Sequence, residues 1–505
     1  LISRLSRNVI YNLAGQVVVM ILSLLAIHVI YRRLGASSFG VITISLVWST
    51  TLVSALEMGF SSVVVRAVAA GRTDQGEDPS GLLRSATSVY WLLAFVGALL
   101  VYLVLPEVFP LLFRSVSRSV TDALDASRIL LMGGLLAIPR AFYQAVLRGA
   151  ERMGGFNIIN VASQAAQQFG IYFLVVGGVG LLSLAWWVTA WFAISTALSF
   201  LTARHAVSTG SLRPGWDPAS VRRYRSFAAS MAVVSATSVV QVQGDESAVS
   251  WTLAVQVAGY YATGAALLGR AQALVTAASE ASLPAITRSH LDERQSLVVR
   301  YRKLHDLICF GSLPLYAGIA FVAGPVFTRL FSLAAARSVE VPVVLLAIGY
   351  FANSTVSALY ITALATRRAG TVARVNVVST VVVFPVVVVI THFFGMVGAS
   401  LAWIMYGAML YFLMVPRLVR SCLDSTPLAW FRLNARLVPS LLVFALGWVC
   451  LQGLGPDRIV VVMACLVPAL ALHVALSFIF VGPELKGTAQ AAWAGITSRA
   501  PKGAS

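Results

Sequence analysis

Residues 371–415 read TVARVNVVSTVVVFPVVVVITHFFGMVGASLAWIMYGAMLYFLMV, with Arg374 as their one Lys, Arg, Asp or Glu. An α-helix needs about twenty apolar residues to cross ~30 Å of hydrocarbon. This stretch holds two such runs, about 371–393 and 397–415, parted by a short Phe-Phe-Gly-Met turn. It also echoes earlier sequence. Asn376-Val377-Val378-Ser379 follows Asn160-Val161-Ala162-Ser163 at an offset of 216, and Ser400-Leu401-Ala402-Trp403 repeats Ser183-Leu184-Ala185-Trp186 at 217. Gly154 maps onto Gly370 at 216, and Leu34 and Gly40 onto Leu253 and Gly259 at 219. Ordered matches at a nearly constant offset indicate two homologous halves.

The whole chain has the same character. It is 505 residues long, 58% hydrophobic and 11% charged, with a mean hydropathy of +0.84. A soluble domain carries roughly 25% charged residues, so a soluble fold and disorder are both poor readings. Fourteen spans are expected, at about 9–31, 40–64, 86–106, 127–147, 157–178, 182–203, 227–244, 254–284, 304–331, 341–364, 371–393, 397–415, 435–454 and 458–481. The fold class expected is an all-α polytopic membrane protein of about fourteen transmembrane helices. Spans one to six and seven to twelve form two six-helix lobes, residues 1–216 and 217–420. An even number of spans per lobe makes this a parallel repeat, with a site between the halves near mid-membrane. Residues 421–505 add a helix pair and a tail.

The charge pattern tests that count. Of 37 Lys and Arg residues, 27 fall on one side of the fourteen-span arrangement, seven on the other, and Arg128, Arg140 and Arg270 within or beside spans. Basic residues collect in cytoplasmic loops, which places both termini inside. Arg4 and Arg7 precede a run too long for a signal-peptide core, so an uncleaved first span is expected. The net charge of +18 then reflects orientation and anionic-lipid contact, with no nucleic-acid partner. Short loops leave no room for the outer domain of a membrane glycosyltransferase or polymerase. No Walker loop is present. Cys309, Cys422, Cys450 and Cys465 form no CxxC and read as buried apolar thiols.

The first sixty residues add a pattern. Asn8 and Asn12 open the first span, followed by Arg33-Leu34-Gly35-Ala36-Ser37-Ser38-Phe39-Gly40, Glu57-Met58-Gly59-Phe60 and Arg66. Gly259-Tyr260-Tyr261, Leu283-Pro284 and Leu313-Pro314-Leu315 follow in the second half. Over roughly residues 8–415 the chain resembles the polysaccharide-type flippases, the oligosaccharide (O-antigen-type) branch of the multidrug/oligosaccharidyl-lipid/polysaccharide (MOP, MATE-like) exporter superfamily. That family usually has Asp where this chain has Glu57. The resemblance implies a V-shaped cavity between two lobes, alternating access, a bacterial plasma-membrane location and a polyprenyl-diphosphate-linked oligosaccharide as cargo. Lipid-linked glycan, membrane lipids and other membrane proteins of polysaccharide assembly are the partners implied. No enzymatic role, no metal and no cofactor is expected, with H+ or Na+ coupling left open. A lipid II flippase or a cation-coupled multidrug exporter of the same fold is the alternative.

The expected substrate residues are Arg140 and Arg270, with Asn12, Gln16, Gln241 and Gln243. Arg140 follows Pro139 about nine residues, or ~13 Å, inside its span. Arg270 is near the middle of the eighth span, and a guanidinium at that depth costs ~2.5–3.5 kcal/mol, so it faces the cavity or a partner. One reading is a bidentate clamp on diphosphate; the other is an ion pair between helices. The amides either meet sugar hydroxyls or bond between helices. Glu57, Glu280 and Asp245 are coupling candidates. The alternatives are a structural partner for an Arg or a helix end for Glu57 and Glu280, and a solvated outer loop for Asp245-Glu246. His28, His392 and His473 have no metal-ligand spacing and read as interface residues.

Overall fold

The structure, a computed structural model, describes residues 2–70, 78–113, 122–207, 209–292, 294–366, 368–455, 458–483 and 485–486, and every element among them is helical. Side chains 1–17 and several within 223–234 and 281–295 lie outside the described residues. The chain forms two compact units, Leu1–Ala262 and Thr263–Ser505.

The first unit contains α1 (Ile2–Glu57), α2 (Phe60–Ala70), α3 (Ser80–Leu112), α4 (Ala123–Gly134), α5 (Ala137–Gly149), α6 (Met153–Val176), α7 (Leu181–Ala203) and α8 (Pro218–Thr252). A straight helix as long as α1 would reach ~84 Å, far beyond a bilayer. Gly35, at φ 85°, divides it into two legs. A left-handed backbone is open to glycine at little cost, and the break falls in the Arg-Leu-Gly loop that separates the first two expected spans. The second leg ends earlier than expected. Met58 (φ 48°) and Gly59 (φ 70°) turn the chain left-handed before α2. The fourth expected span is likewise two helices. Pro139 has no N–H to offer Leu135, whose carbonyl instead accepts from the Ile138 N–H at 3.0 Å. At Leu136 the carbonyl takes a second donor, the Thr196 hydroxyl of α7, at 2.9 Å. The core of this unit gathers Leu83, Tyr90, Leu135, Ile138, Phe142 and Val146.

Residues related by the repeat also meet inside this unit. Gly40 and Gly259 lie where their backbones nearly touch. A Cβ on Gly40 would fall 2.5 Å from the Val255 carbonyl oxygen, and one on Gly259 would fall 2.8 Å from the Phe39 ring. Phe39 stacks on Tyr260 at 6.3 Å.

α9 (Val255–Asp292) begins in the first unit and runs into the second, which continues through α10 (Arg294–Leu330), α11 (Leu333–Ala365) and α12 (Ala369–Met409), then α13 (Val415–Leu423), α14 (Pro427–Ala435), α15 (Val438–Leu454) and α16 (Ile459–Phe480). Gly395 (φ 59°, ψ −138°) breaks α12 at the turn between the eleventh and twelfth expected spans. One π-helical turn, Leu410–Met414, carries α12 into α13. The final helix pair is fastened to α10. His473 bonds to the Phe310 carbonyl at 3.0 Å, and the Gly482 N–H donates to Asp306 at 2.8 Å. His473 is therefore buried, not an interface residue as expected. Trp403 is buried as well, stacked on Tyr350 at 3.9 Å.

Among the described residues eight helical segments are long and apolar enough to cross a membrane, or nine with the bent pair α14 and α15. α6, α8 and α9 cover expected spans but fall outside that set. Their glutamines and charges lower their hydropathy, and polar groups within a membrane helix face protein or water rather than lipid. Apolar side chains elsewhere point outward, among them Phe95, Leu103, Val460 and Phe478. Exposed hydrophobics on this scale would be a liability in water and are ordinary against lipid tails.

Candidate functional site

Arg140 lies in α5, half-buried. Its Nη1 donates to the Ser195 hydroxyl of α7 at 3.2 Å, and its guanidinium carbon lies 5.6 Å from the centroid of the Phe192 ring. No carboxylate pairs with it among the described residues. The interhelical ion pair thus has no acidic member here. A neutral hydroxyl and a ring face hold the cation and leave most of its five donors for another group. Ser195 spends its own proton on the Phe192 carbonyl at 3.0 Å, so its oxygen is left as an acceptor. Nearby, the Gln144 amide donates to the Asn160 carbonyl oxygen at 2.9 Å.

Asp245 is inside α8, not in a loop, and is buried at 3% exposure. The Tyr261 hydroxyl donates to it at 2.7 Å. The helix runs seven residues past Asp245, to Thr252. Gln241 and Gln243 are half-buried on the same helix. Glu57 closes α1 and accepts from the Ser61 N–H at 3.2 Å and from the Ser61 hydroxyl. That contact satisfies an orphan donor in the first turn of α2. Asn12 and Gln16 lie outside the residues whose side chains are described.

In the second unit Arg270 is half-buried and Glu280 exposed, both on α9. Between them on the same helix lies a network that sequence reading missed. The Gln272 carbonyl oxygen accepts from the Tyr316 hydroxyl at 2.6 Å and from the Ser354 hydroxyl at 3.0 Å. Three helices are thereby joined through one amide. Asn376 accepts from the Tyr406 hydroxyl at 3.1 Å, whereas its repeat counterpart Asn160 uses Gln144. Tyr and Ser are too common in apolar helices to signal a network from spacing alone. No group of three or more metal-ligating side chains occurs among the described residues. All four cysteines are free, Cys309 and Cys422 buried and Cys450 exposed.

The arrangement offers a cation without a countercharge in one unit, and neutral hydrogen-bonding groups along polar helices in both. It can bind an anion and hydroxyls.

Known structures share the fold. A lipid II flippase, MurJ, in its inward closed conformation superposes with a TM-score of 0.71 at 15% identity, covering 93% of this chain and 98% of the other. An inward-facing multidrug resistance MATE family transporter of the MOP superfamily gives 0.60 at 13%, covering 82% and 99%. A MOP superfamily transporter from Pyrococcus furiosus gives 0.50 at 15%, covering 83% and 95%. Among curated protein sequences none matches the chain. The fold is thus that of multi-pass membrane transporters. The model of the polysaccharide biosynthesis protein family matches residues 5–290, more than half of the chain, and the chain belongs to that family.

Proposed function

We propose that this protein is a flippase of the bacterial plasma membrane that moves a polyprenyl-diphosphate-linked oligosaccharide by alternating access. Its lobes are residues 1–216 and 217–420, with residues 421–505 as an added pair, in fourteen spans with both termini cytoplasmic. The observation that carries this reading is Arg140, a guanidinium in a membrane span that pairs with no carboxylate among the described residues. Buried charge persists in a membrane where function repays its cost, and an unpaired cation suits an anionic cargo. Diphosphate offers the fork geometry that guanidinium matches. Sugar hydroxyls cannot cross hydrocarbon unaided, since each unpaired polar group costs several kcal/mol. Gln241, Gln243 and the Gln144–Asn160 pair are the groups we assign to replace their water. Arg270 is assigned to anion binding in its own unit, and Asn12 and Gln16 are assigned to sugar hydroxyls. Asp245, Glu57 and Glu280 are the proposed coupling carboxylates.

Lipid II is the second cargo considered, because the superposition on the lipid II flippase is extensive. A deletion strain distinguishes the two. Accumulation of a non-peptidoglycan lipid-linked glycan on the inner leaflet supports the main reading. Accumulated lipid II, or normal surface glycan with altered drug sensitivity, sinks it.

A further inference from the structure

The second unit holds a cavity that the transport reading does not use. It has a volume of about 360 Å³ and lies among α10, α13 and α14. Arg302, Arg432 and Arg436 line it, against a single acidic residue, Asp424. Asp424 ends α13 in the left-handed conformation at φ 46°. Three guanidiniums and one carboxylate leave a surplus of two positive charges around one small space. Arg432 and Arg436 are exposed and pair with no carboxylate among the described residues. The floor is rigid. The Trp430 indole donates to the Tyr301 hydroxyl at 2.9 Å, both side chains are buried, and Trp430 packs edge-on against Tyr411 at 5.4 Å.

α14 carries Arg432 and is followed directly by Arg436. Thr426 caps α14 by accepting the Ala429 N–H at 3.2 Å, and α14 meets the apolar α15 at a 47° bend. Leu428, 58% exposed, and Phe431, 43% exposed, stand on the same nine residues as Arg432. Arginine and exposed apolar side chains on one short helix at the end of a span match an interfacial segment. There acyl chains lie beside the apolar residues and headgroups beside the guanidiniums.

We propose that this cavity is a binding site for the phosphate headgroup of an anionic phospholipid, held by Arg432 and Arg436 with Arg302. The apolar flank favours a lipid source over a soluble phosphate, because a soluble anion gains nothing from Leu428 and Phe431. The site is independent of the cargo, since none of its residues belongs to the proposed transport path.

The test is thermal stability of the purified full-length protein titrated with phosphatidylglycerol, phosphatidylcholine or inorganic phosphate. Phosphatidylglycerol is expected to raise Tm saturably, and the other two to leave it unchanged. In the Arg432→Gln/Arg436→Gln double variant the apparent affinity for phosphatidylglycerol falls on the order of thirtyfold, from about fivefold per guanidinium at an anionic surface. Arg420→Gln, an exposed α13 arginine outside the cavity, keeps the full response. Arg436→Gln alone, expected at about fivefold, covers the case in which the double variant does not accumulate. An unchanged response in the double or single variant, an equal loss in Arg420→Gln, or an equal Tm rise with inorganic phosphate overturns the proposal. Because the readout is binding, its failure is separate from any failure of the flippase reading.

Discussion

Arg140 shows what a single side chain contributes when its surroundings withhold a countercharge. Its partners are a hydroxyl that acts as acceptor and a ring face, and hydrogen bonds from a charged group are worth about 1.5–3 kcal/mol. Arg140→Ala is therefore expected to lower glycan translocation by roughly 10–100-fold, on that range, with insertion and expression unchanged. Arg140→Lys restores the charge without the fork and should recover only part of the rate. Wild-type translocation in Arg140→Ala vesicles would remove the diphosphate assignment. A glycine pair tests packing with equal economy. A Cβ on Gly170 would sit 2.0 Å from the Trp187 ring, while one on Gly269 meets nothing within 4 Å. Gly170→Ala should cost about 1–3 kcal/mol by overpacking, and Gly269→Ala should be neutral or gain up to about 1 kcal/mol of helix propensity. Comparing the two melting temperatures decides it, and a Gly170→Ala protein as stable as wild type contradicts the close approach. The candidates here were legible unevenly. Arg140, Arg270 and Asp245 stand out because a charge in an apolar run is costly wherever it points. Ser195, Phe192 and the Gln272–Tyr316–Ser354 network could not be read, because each contact joins residues tens of positions apart and ordinary in composition.

At the scale of the element, the breaks explain which helices were anticipated. Gly35 and Gly395 lie in turns that apolar periodicity already marks, and their positive φ accounts for the glycine. The Met58–Gly59 break falls at the quoted Glu57-Met58-Gly59 element, but the expected span runs on to residue 64 because apolar residues resume after it. α14 was also missed, because nine residues mixing Leu, Trp, Phe, Arg and Asn read as a basic loop. α8 carries a testable cap. Asp217 accepts from the Ser220 hydroxyl at 2.6 Å and from the Ala219 N–H at 3.1 Å. The Ser220 bond, more than the backbone bonds and the nearby Arg84 charge, holds its carboxyl below the usual carboxylate range. A depressed folded pKa means that the cap stabilises fully above the ordinary Asp pKa. The contribution fades as pH falls through the lower folded value. Asp217→Asn, which caps without titrating, should therefore show a smaller loss of Tm than wild type between about pH 5 and pH 3, near the reference Asp range. Parallel losses in the two proteins across that range would remove Asp217 from the acid response.

For the whole molecule, orientation and span number are one question, because an error of one span reverses every later loop. The 27-to-7 division of Lys and Arg holds only if each expected span is real. The weak point is the polar trio α6, α8 and α9, which composition alone does not identify as membrane helices. Cysteine accessibility in a cysteine-free background tests all of it together. Arg213 and Gly177 flank α7, whose 23 residues reach ~34 Å, enough for one crossing. Arg213→Cys should react with a membrane-impermeant maleimide only after the inner face is opened, and Gly177→Cys should react in intact cells. Arg420→Cys supplies the decisive comparison. Between positions 213 and 420 lie α8, α9, α10, α11 and the two legs of α12 divided at Gly395. Six crossings return the chain to the side it left, so Arg420→Cys should behave as Arg213→Cys does. If α8 or α9 alone failed to cross, the two positions would label from opposite faces. Residues 217–420 would then contain an odd number of spans, and a parallel repeat would be geometrically impossible. Opposite labelling at 213 and 420 therefore sinks the two-lobe arrangement. Reversed labelling at both leaves the arrangement standing and inverts its orientation in the membrane.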